Sequence, residues 1–368
     1  MSRLDPDHQQ ALDLLSDSLS AFLRDNWDFS TRRAAIHSDT GWAPSVWTAL
    51  SAELGLLLAA ESEDHGGLGL GLAAQGRIAR VLGQHLALTP YLESAIIGAA
   101  LLRGGGSCAD GALTALTEGT VFAPALYEPH SRYNPHAVAT RAENHGGQWS
   151  LTGQKRVVRA APWASHLIVS AQAPSGLSLF LVDASASGLK AQPLTLHDGH
   201  RASELSLKNT PATLIHAEGQ AVTIIIRAID EGTYGLCAEA VGVMQRLHTA
   251  TLDYVRQRKQ FGLPIGAFQA LQFRLADMAM AVEEAEAVLA PTLEALASDD
   301  AAVRARAISS AKLTIDRACE TVSTGAVQLH GAIGLTDELD VSHAFKRALM
   351  IQHELGDTHH HSAQRAAA

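Results

Sequence analysis

A cationic and aromatic cluster, followed by a turn, is the part of the sequence best suited to bind a cofactor. It lies in the segment YVRQRKQFGLPIGAFQ, which begins at Tyr254 and places Arg258 and Lys259 close to Phe261. Arginine presents a planar set of donors that matches phosphate oxygens, and an aromatic ring can pack on another planar ring. A Gly-Leu-Pro turn then separates this cluster from a new helical pattern. These residue types predict a site for the diphosphate and ring system of a dinucleotide.

A second polar segment, QLHGAIG, begins at Gln328 and ends a long helical pattern at Gly331. Glycine at a helix end allows the backbone to approach a ligand closely. Polar residues such as His330 are also ordinary at helix ends, and Arg258 alone would fit a solvated cation at a helix C-terminus. The two segments together, in this order, favour a cofactor site over those simpler readings.

The elements that must position these residues are helices on either side of a β-type block. From about residue 5 to 117 apolar residues recur at three- and four-residue spacing, as in Leu12, Leu15, Leu19 and Leu23. Between about 120 and 213, short apolar runs are separated by Gly, Pro, Asn and Ser, which is typical of antiparallel strands. The predicted strands are 121–126, 137–142, 149–152, 156–158, 167–171 and 177–182, with a hairpin turn at Gly146-Gly147. The later predicted helices are 222–257, 269–297, 301–330 and 339–352.

This order predicts an α+β fold that is mostly α, because helices and strands are segregated rather than alternating. We expect an N-terminal helical domain over 1–118, a middle antiparallel β domain over 119–215 and a C-terminal four-helix bundle over 216–368. No Gly-x-Gly-x-x-Gly motif follows a predicted strand, so a Rossmann domain is not expected.

Composition narrows the function classes. The chain has 368 residues, 47% of them hydrophobic, and a net charge of −10, which disfavours nucleic-acid binding. No apolar run is long enough for a membrane span, and the N-terminus has no secretion-type apolar region. Three cysteines without CxxC spacing indicate reduced thiols, and so a cytoplasmic protein. His359, His360 and His361 are consecutive and cannot all converge on one ion, so no metal site is expected.

The two cofactor segments resemble the flavin-binding signature of the acyl-CoA dehydrogenase family. Five further segments are similar to motifs of that family, and with them the resemblance covers nearly the whole chain. They are Glu53–Leu57, Glu61–Gly71, Ala125–Pro129, Leu151–Lys155 and Leu355–His361. The resemblance implies an acyl-CoA dehydrogenase-like fold, FAD as the cofactor, an acyl-CoA substrate, and electron-transfer flavoprotein or a similar acceptor as a partner.

The resemblance also implies a role for each residue of the FAD site. Arg258 would contact the pyrophosphate, Phe261 would pack on the adenine or its linker, and Gln269 would hydrogen-bond from the next helix. Gln328 and Gly331 would complete the site from a neighbouring subunit.

Several positions depart from the family pattern around the flavin ring. Tyr127 stands where the family has a hydroxyl residue over the flavin, and His130–Asn134 replaces the usual Gly-Ser-Asp. Val157–Arg159 replaces Trp-Ile-Thr, which removes a shielding ring and a hydrogen bond near the flavin N5 atom. Ala332 replaces the second glycine of the usual Gly-Gly pair.

The carboxylate base of the family's reaction has no direct counterpart. That base removes the α-proton of the thioester, and the two positions that carry it in relatives are Gly356 and Gly232 here. Glu231 and Asp357 are the adjacent candidates. A shift of one residue turns a helical side chain by about 100°, so Glu231 would point away from the position of the family's base. Glu231 also fits an acid near a helix N-terminus, and Asp357 also fits an N-cap.

A C-terminal Gly-Asp followed by His resembles the atypical subunit of heteromeric bacterial acyl-CoA dehydrogenases. The resemblance implies a heterotetramer with a paralogous, base-bearing subunit, acting on bulky thioesters such as steroid side-chain or dicarboxylic acyl-CoA. Three alternatives remain: a homo-oligomer that uses Glu231 or Asp357, a flavin-dependent monooxygenase of the same fold, and a non-catalytic structural subunit.

Overall fold

The computed structural model describes residues 6–42 and 44–368. The α-helices are α1 (Pro6–Asn26), α2 (Phe29–His37), α3 (Pro44–Thr48), α4 (Gly71–Gln84), α5 (Ala99–Leu102), α6 (Gly106–Thr117), α7 (Ala221–Gln257), α8 (Gln269–Ala287), α9 (Leu289–Leu296), α10 (Ala301–His330), α11 (Asp340–Ile351) and α12 (Thr358–Ala367). Two segments, Ala49–Glu53 and Tyr91–Gly98, are π-helical.

The strands are β1 (Phe122–Ala125), β2 (Arg141–His145), β3 (Gln148–Arg159), β4 (His166–Ala173), β5 (Gly176–Asp183), β6 (Leu189–Thr195), β7 (Arg201–Leu214), β8 (Lys259–Gln260) and β9 (Leu263–Pro264). The first seven form one sheet in the order β1-β4-β2-β3-β7-β5, with β6 on β7, and β8 pairs with β9. Most neighbours in the large sheet are antiparallel, whereas β1 and β2 pair with β4 in parallel. Because β4 also pairs with β5, the sheet closes on itself.

The chain forms two compact units. The helical unit comprises the chain up to Thr31, Gly76–Ala87 and Thr233–Ala368, and the sheet unit comprises Arg32–Gln75 and Leu88–Gly232. The three-domain division expected from the sequence stays a prediction. In the helical unit α1 buries the predicted stripe of leucines, and in the sheet unit β4 and β5 bury apolar side chains on nearly every position.

The helix predictions near the C-terminus hold, with one correction. The predicted helices 222–257 and 301–330 correspond to α7 and α10. The single helix predicted over 269–297 is wrong, because α8 ends at Ala287 and α9 begins at Leu289. Pro291 lies in the first turn of α9, and a proline interrupts a continuing helix because it has no N–H and its ring clashes with the preceding turn.

The strand predictions fail around residues 137–142. Only β2, which begins at Arg141, is a strand there. The carboxylate of Glu128 accepts the backbone N–H groups of Ala139 at 2.7 Å and Thr140 at 3.0 Å. These donors are therefore not available to a strand ladder. The predicted hairpin turn at Gly146-Gly147 is confirmed between β2 and β3.

The cysteines are unpaired: Cys237 and Cys319 are buried and Cys108 is half-buried. Within the described ranges, none of the helices has the length and apolar character needed to cross a membrane.

Candidate active site

The β8–β9 hairpin presents the predicted cation and aromatic ring to solvent. Arg258 follows the end of α7, and its carbonyl accepts the N–H of Ile265 at 2.8 Å, which closes the hairpin. At the tip Phe261 and Gly262 adopt φ angles of 54° and 82°. The ring of Phe261 is 91% exposed and meets Phe268 edge-on at 6.2 Å. So large an exposed aromatic surface, next to an exposed guanidinium, is typical of a binding site.

The structure brings the second cofactor segment beside the first. Tyr254, one turn before Arg258, stacks on His330 with ring centroids 4.3 Å apart. His330 is buried and its Nδ1 lies 2.8 Å from the carbonyl of Ala326, so it holds the end of α10. Gly331 caps that helix with φ 68°, and a Cβ there would meet nothing within 4 Å.

The predicted polar contacts also lie on the surface of the helical unit. Gln269 is exposed and is the first residue of α8, and Gln328 is exposed in the last turn of α10. The two segments therefore offer an exposed guanidinium, an exposed aromatic ring, two carboxamides and an open glycine backbone. These groups fit the diphosphate and adenosine end of FAD. Arg258, Phe261 and Gln269 of one subunit would hold that end of the cofactor, together with Gln328 and Gly331 of a neighbouring subunit, and this assignment stays a prediction.

The residues at the flavin-ring positions lie in the sheet unit and differ from the family pattern in their contacts. Arg159, where the family has threonine, forms an ion pair with Glu93 at 2.7 Å, and both side chains are largely buried. Val157 adopts φ 48°, which is unusual for a β-branched residue, at a register shift between β3 and β7. Tyr127 is half-buried, and burial raises the pKa of its hydroxyl, so that it is protonated near neutral pH. Arg159 thus brings a largely buried ion pair to a position where the resemblance implies a neutral threonine.

A buried ion pair supports the loop that contains Tyr127. The Lys155 ammonium lies 2.9 Å from a carboxylate oxygen of Glu128 and donates to Ser170 at 3.0 Å. Burial lowers the pKa of Lys155 to about 8, against the attraction of Glu128. Burial also acts to raise the pKa of Glu128, but Lys155 and the donors on Thr140 and Ala139 outweigh it, and that pKa is lowered. Both partners remain charged at neutral pH, and the carboxylate is fully engaged as an acceptor.

Glu231, the first candidate base, is held in a buried network of charges. It lies in the third turn of α7 and is 2% exposed. Arg103 donates to its two oxygens at 3.0 and 3.3 Å, and Arg227 lies 3.5 Å away. Arg103 also binds both oxygens of Glu61, at 2.6 and 3.1 Å. A carboxylate in this setting serves as an ion-pair partner, which is a different structural role from the predicted acid near a helix N-terminus.

Asp357, the second candidate base, caps α12. Its Oδ1 accepts the N–H of His360 at 2.8 Å, as expected for an N-cap. The neighbouring Gly356 has φ 121°. Glu231 and Asp357 belong to different compact units, and each carboxylate already has a structural contact. Their catalytic role stays a prediction.

Sequence reasoning missed a buried charge cluster beside Gly356. The Lys312 ammonium, 0% exposed, donates to Asp316 at 2.7 Å and to the carbonyl of Gly356 at 3.1 Å. Burial raises the pKa of Asp316 to about 6, although the charge of Lys312 acts to lower it. The available signal was a lysine and an aspartate, four residues apart, on the apolar face of α10 with Ile315 and Cys319. Among the described residues, no group of three or more His, Cys, Asp or Glu side chains is arranged to hold a metal ion.

Comparison with protein families and known proteins gives a consistent result. The family model for the acyl-CoA dehydrogenase middle domain matches residues 123–210, and that for the acyl-CoA dehydrogenase C-terminal domain matches 219–367. Acyl-CoA dehydrogenase IpdE2 of Mycobacterium tuberculosis (strain ATCC 25618 / H37Rv) is 29% identical over 317 residues, 86% of this chain and 84% of that protein.

Two solved structures are similar over nearly the full chain. The Tcur3481-Tcur3483 steroid ACAD G363A variant has a TM-score of 0.89 at 27% identity and covers 98% of both chains. The ChsE4-ChsE5 complex from Mycobacterium tuberculosis has a TM-score of 0.88 at 25% identity, covering 97% of this chain and 96% of that one. The protein therefore belongs to the acyl-CoA dehydrogenase family, whose members are oxidoreductases that use FAD.

Proposed function

We propose that this chain is the base-lacking subunit of a heteromeric acyl-CoA dehydrogenase that introduces an α,β double bond into a bulky acyl-CoA thioester. A paralogous subunit would bring the carboxylate that removes the α-proton. The observation that carries the proposal is that both positions used for this base in the family, Gly232 and Gly356, are glycine.

The neighbouring carboxylates support a structural role in this chain. Glu231 has both oxygens bound by Arg103, and Asp357 uses a side-chain oxygen to cap α12. A catalytic base must be within reach of the substrate proton and free to accept it. If either carboxylate took up that proton, an ion pair or a helix cap would be weakened in each catalytic cycle.

The residues that this chain does supply suit cofactor binding. Arg258 carries a fixed positive charge that would neutralise the FAD diphosphate, and the exposed ring of Phe261 would pack on its planar portion. Gly331 leaves space for the backbone to approach the cofactor. Bound FAD supplies the oxidant that accepts hydride from the β-carbon of the thioester.

The similar proteins support the heteromeric assembly and the substrate class. ChsE4-ChsE5 is a complex, and Tcur3481-Tcur3483 is a steroid ACAD. We extend both features to this chain: a partner subunit of the same family, and an acyl group as bulky as a steroid side chain or bearing a second carboxylate. Electron-transfer flavoprotein or a similar acceptor would reoxidise the cofactor.

Co-expression with base-bearing paralogues from the same genome tests the proposal. We expect the chain alone to give no acyl-CoA-dependent reduction of a dye acceptor, and the assembly to bind FAD and reduce the dye. Replacing the partner's glutamate by glutamine should abolish turnover. Glu231→Gln and Asp357→Asn in this chain should leave it within about twofold, because neither group would abstract the proton.

Turnover by the purified chain alone, removed by Glu231→Gln or Asp357→Asn, would refute the proposal in favour of a self-sufficient homo-oligomer. Consumption of oxygen and NADH with a flavin reductase, without any response to acyl-CoA, would point instead to a monooxygenase. The substrate class is tested by comparing kcat/KM for three thioesters of similar length: one with a steroid side chain, one dicarboxylic and one straight-chain.

A further inference from the structure

The segment between α11 and α12 is held by two buried side chains. Lys312 Nζ donates to the carbonyl of Gly356 at 3.1 Å, and His361 Nε2 lies 3.2 Å from the carbonyl of Leu355. Lys312 is 0% exposed and His361 is 2% exposed. Moving either carbonyl would leave a buried donor unsatisfied, so this backbone is fixed in place.

The hydrogen bonds of His361 define its tautomer. Burial, together with the positive charge of Lys312, lowers the pKa of His361 to about 3, so the ring is neutral at physiological pH. A neutral imidazole has one N–H, and the carbonyl of Leu355 can only accept a hydrogen bond. The proton is therefore on Nε2, which donates to the carbonyl of Leu355 at 3.2 Å. Nδ1 lies 3.2 Å from the hydroxyl oxygen of Ser309, which donates its own proton to Oε1 of Gln364 at 3.1 Å. The contact with Leu355 thus orients the ring.

Only glycine fits at position 356 in this conformation. Gly356 has φ 121°, a region that residues with a Cβ rarely adopt. A Cβ there would also lie 2.7 Å from Cδ2 of His360 and still closer to Nε2 of His361. The preceding Leu355 has φ 55°, so two consecutive residues are in the left-handed half of conformational space.

We propose that His361 is a positioning residue that keeps the segment around Gly356 closed to any side chain, and so prevents this chain from carrying its own base. The inference rests on the proposed function and deepens it. A Cβ at position 356 would meet the imidazole ring of His361 rather than open space, and under the proposed function the chain depends on a partner subunit for the carboxylate.

Comparison of Gly356→Glu, His361→Ala and the double variant tests this inference. We expect Gly356→Glu alone to lower the unfolding midpoint by roughly 5 °C or more, because of overpacking and backbone strain. The double variant should lose at least about 3 °C less than the sum of the two single changes, since residues in contact couple. Gly147→Ala is the control for backbone strain without a clash: Gly147 has φ 93° and a Cβ there would meet nothing within 4 Å.

A second measurement reports on base function rather than on folding. The chain without its partner is incubated with an acyl-CoA in D2O, and mass spectrometry of the acyl-CoA measures exchange of its α-proton. This exchange requires a positioned base but no net oxidation. We expect at least a tenfold faster exchange for the double variant than for Gly356→Glu or His361→Ala alone.

Additive midpoint shifts would overturn the inference, because His361 would then not block position 356. It would also be overturned if the double variant recovered stability but gave no added exchange. Failure of the proposed function has a different signature: no FAD absorbance in the natural chain or its assembly, whatever the coupling between positions 356 and 361.

Discussion

Replacing Glu231 by glutamine separates a structural carboxylate from a catalytic base. Removing the charge of one partner in a buried ion pair costs about 3–5 kcal/mol. Arg103, however, has a side chain that is 37% exposed and also binds Glu61. Glutamine keeps the shape of Glu231 and one acceptor oxygen. Water, Glu61 and the retained acceptor together reduce the expected loss to about 1–2 kcal/mol.

This loss should lower the unfolding midpoint of the chain by roughly 1–3 °C, measured by calorimetry on the purified protein. Turnover of the assembled enzyme should stay within about twofold of the natural value, because the proposed function assigns proton abstraction to a carboxylate of the partner subunit. Glu63→Gln is the control, since Glu63 is exposed and its replacement should leave the midpoint within about 1 °C. A fall in turnover of a hundredfold or more, with an unchanged midpoint, would refute this reasoning and identify Glu231 as the base.

Three further changes test other parts of the structure. Arg258→Met should raise the Kd for FAD roughly 10- to 100-fold by removing a charge-assisted contact, whereas the neighbouring exposed Arg256→Met should change it less than threefold; flavin fluorescence titration measures both. Lys155→Met should destabilise the protein by about 3–5 kcal/mol because it leaves the Glu128 carboxylate buried without its cation, and Glu128→Gln in the same chain should recover part of that loss in chemical denaturation. His361 has a folded-state pKa of about 3, below its value of 6.5 when unfolded, so the unfolded chain binds the extra proton and stability falls as pH drops from 6.5 towards 3. His361→Asn cannot take up that proton, so its unfolding midpoint should fall less steeply over this pH range; parallel slopes for the two proteins would contradict the assignment.

The residues predicted to bind the cofactor were chosen from local sequence, because the signal they carry is local. Arg258 and Phe261 are three residues apart in one hairpin, and Gly331 marks a helix end through its backbone preference. The long helices α7 and α10 were predictable for a related reason, since their apolar periodicity runs without a proline.

The buried ion pairs of Glu231 and Arg159 could not be predicted, because their partners are distant in sequence. Arg103 binds Glu231, which is 128 residues away in the chain, and Glu61, which is 42 residues away. No periodicity or spacing rule reports such a contact. The same limit applies to Glu93 and Arg159, which are 66 residues apart. The sequence indicated that the family's threonine is absent at position 159, but it gave no sign of the ion pair that Arg159 forms there.

The contact between Gly356 and His361 also bears on the descent of this protein. A glycine codon can become a glutamate codon through one base change, so on paper a carboxylate at position 356 is a single step away. In this fold that step collides with an imidazole, and removing the imidazole first forfeits its hydrogen bond to the carbonyl of Leu355 with no immediate benefit. Under the proposed function, neither order of events would be favoured by selection, and dependence on a second gene product would be an evolutionary ratchet rather than a reversible specialisation.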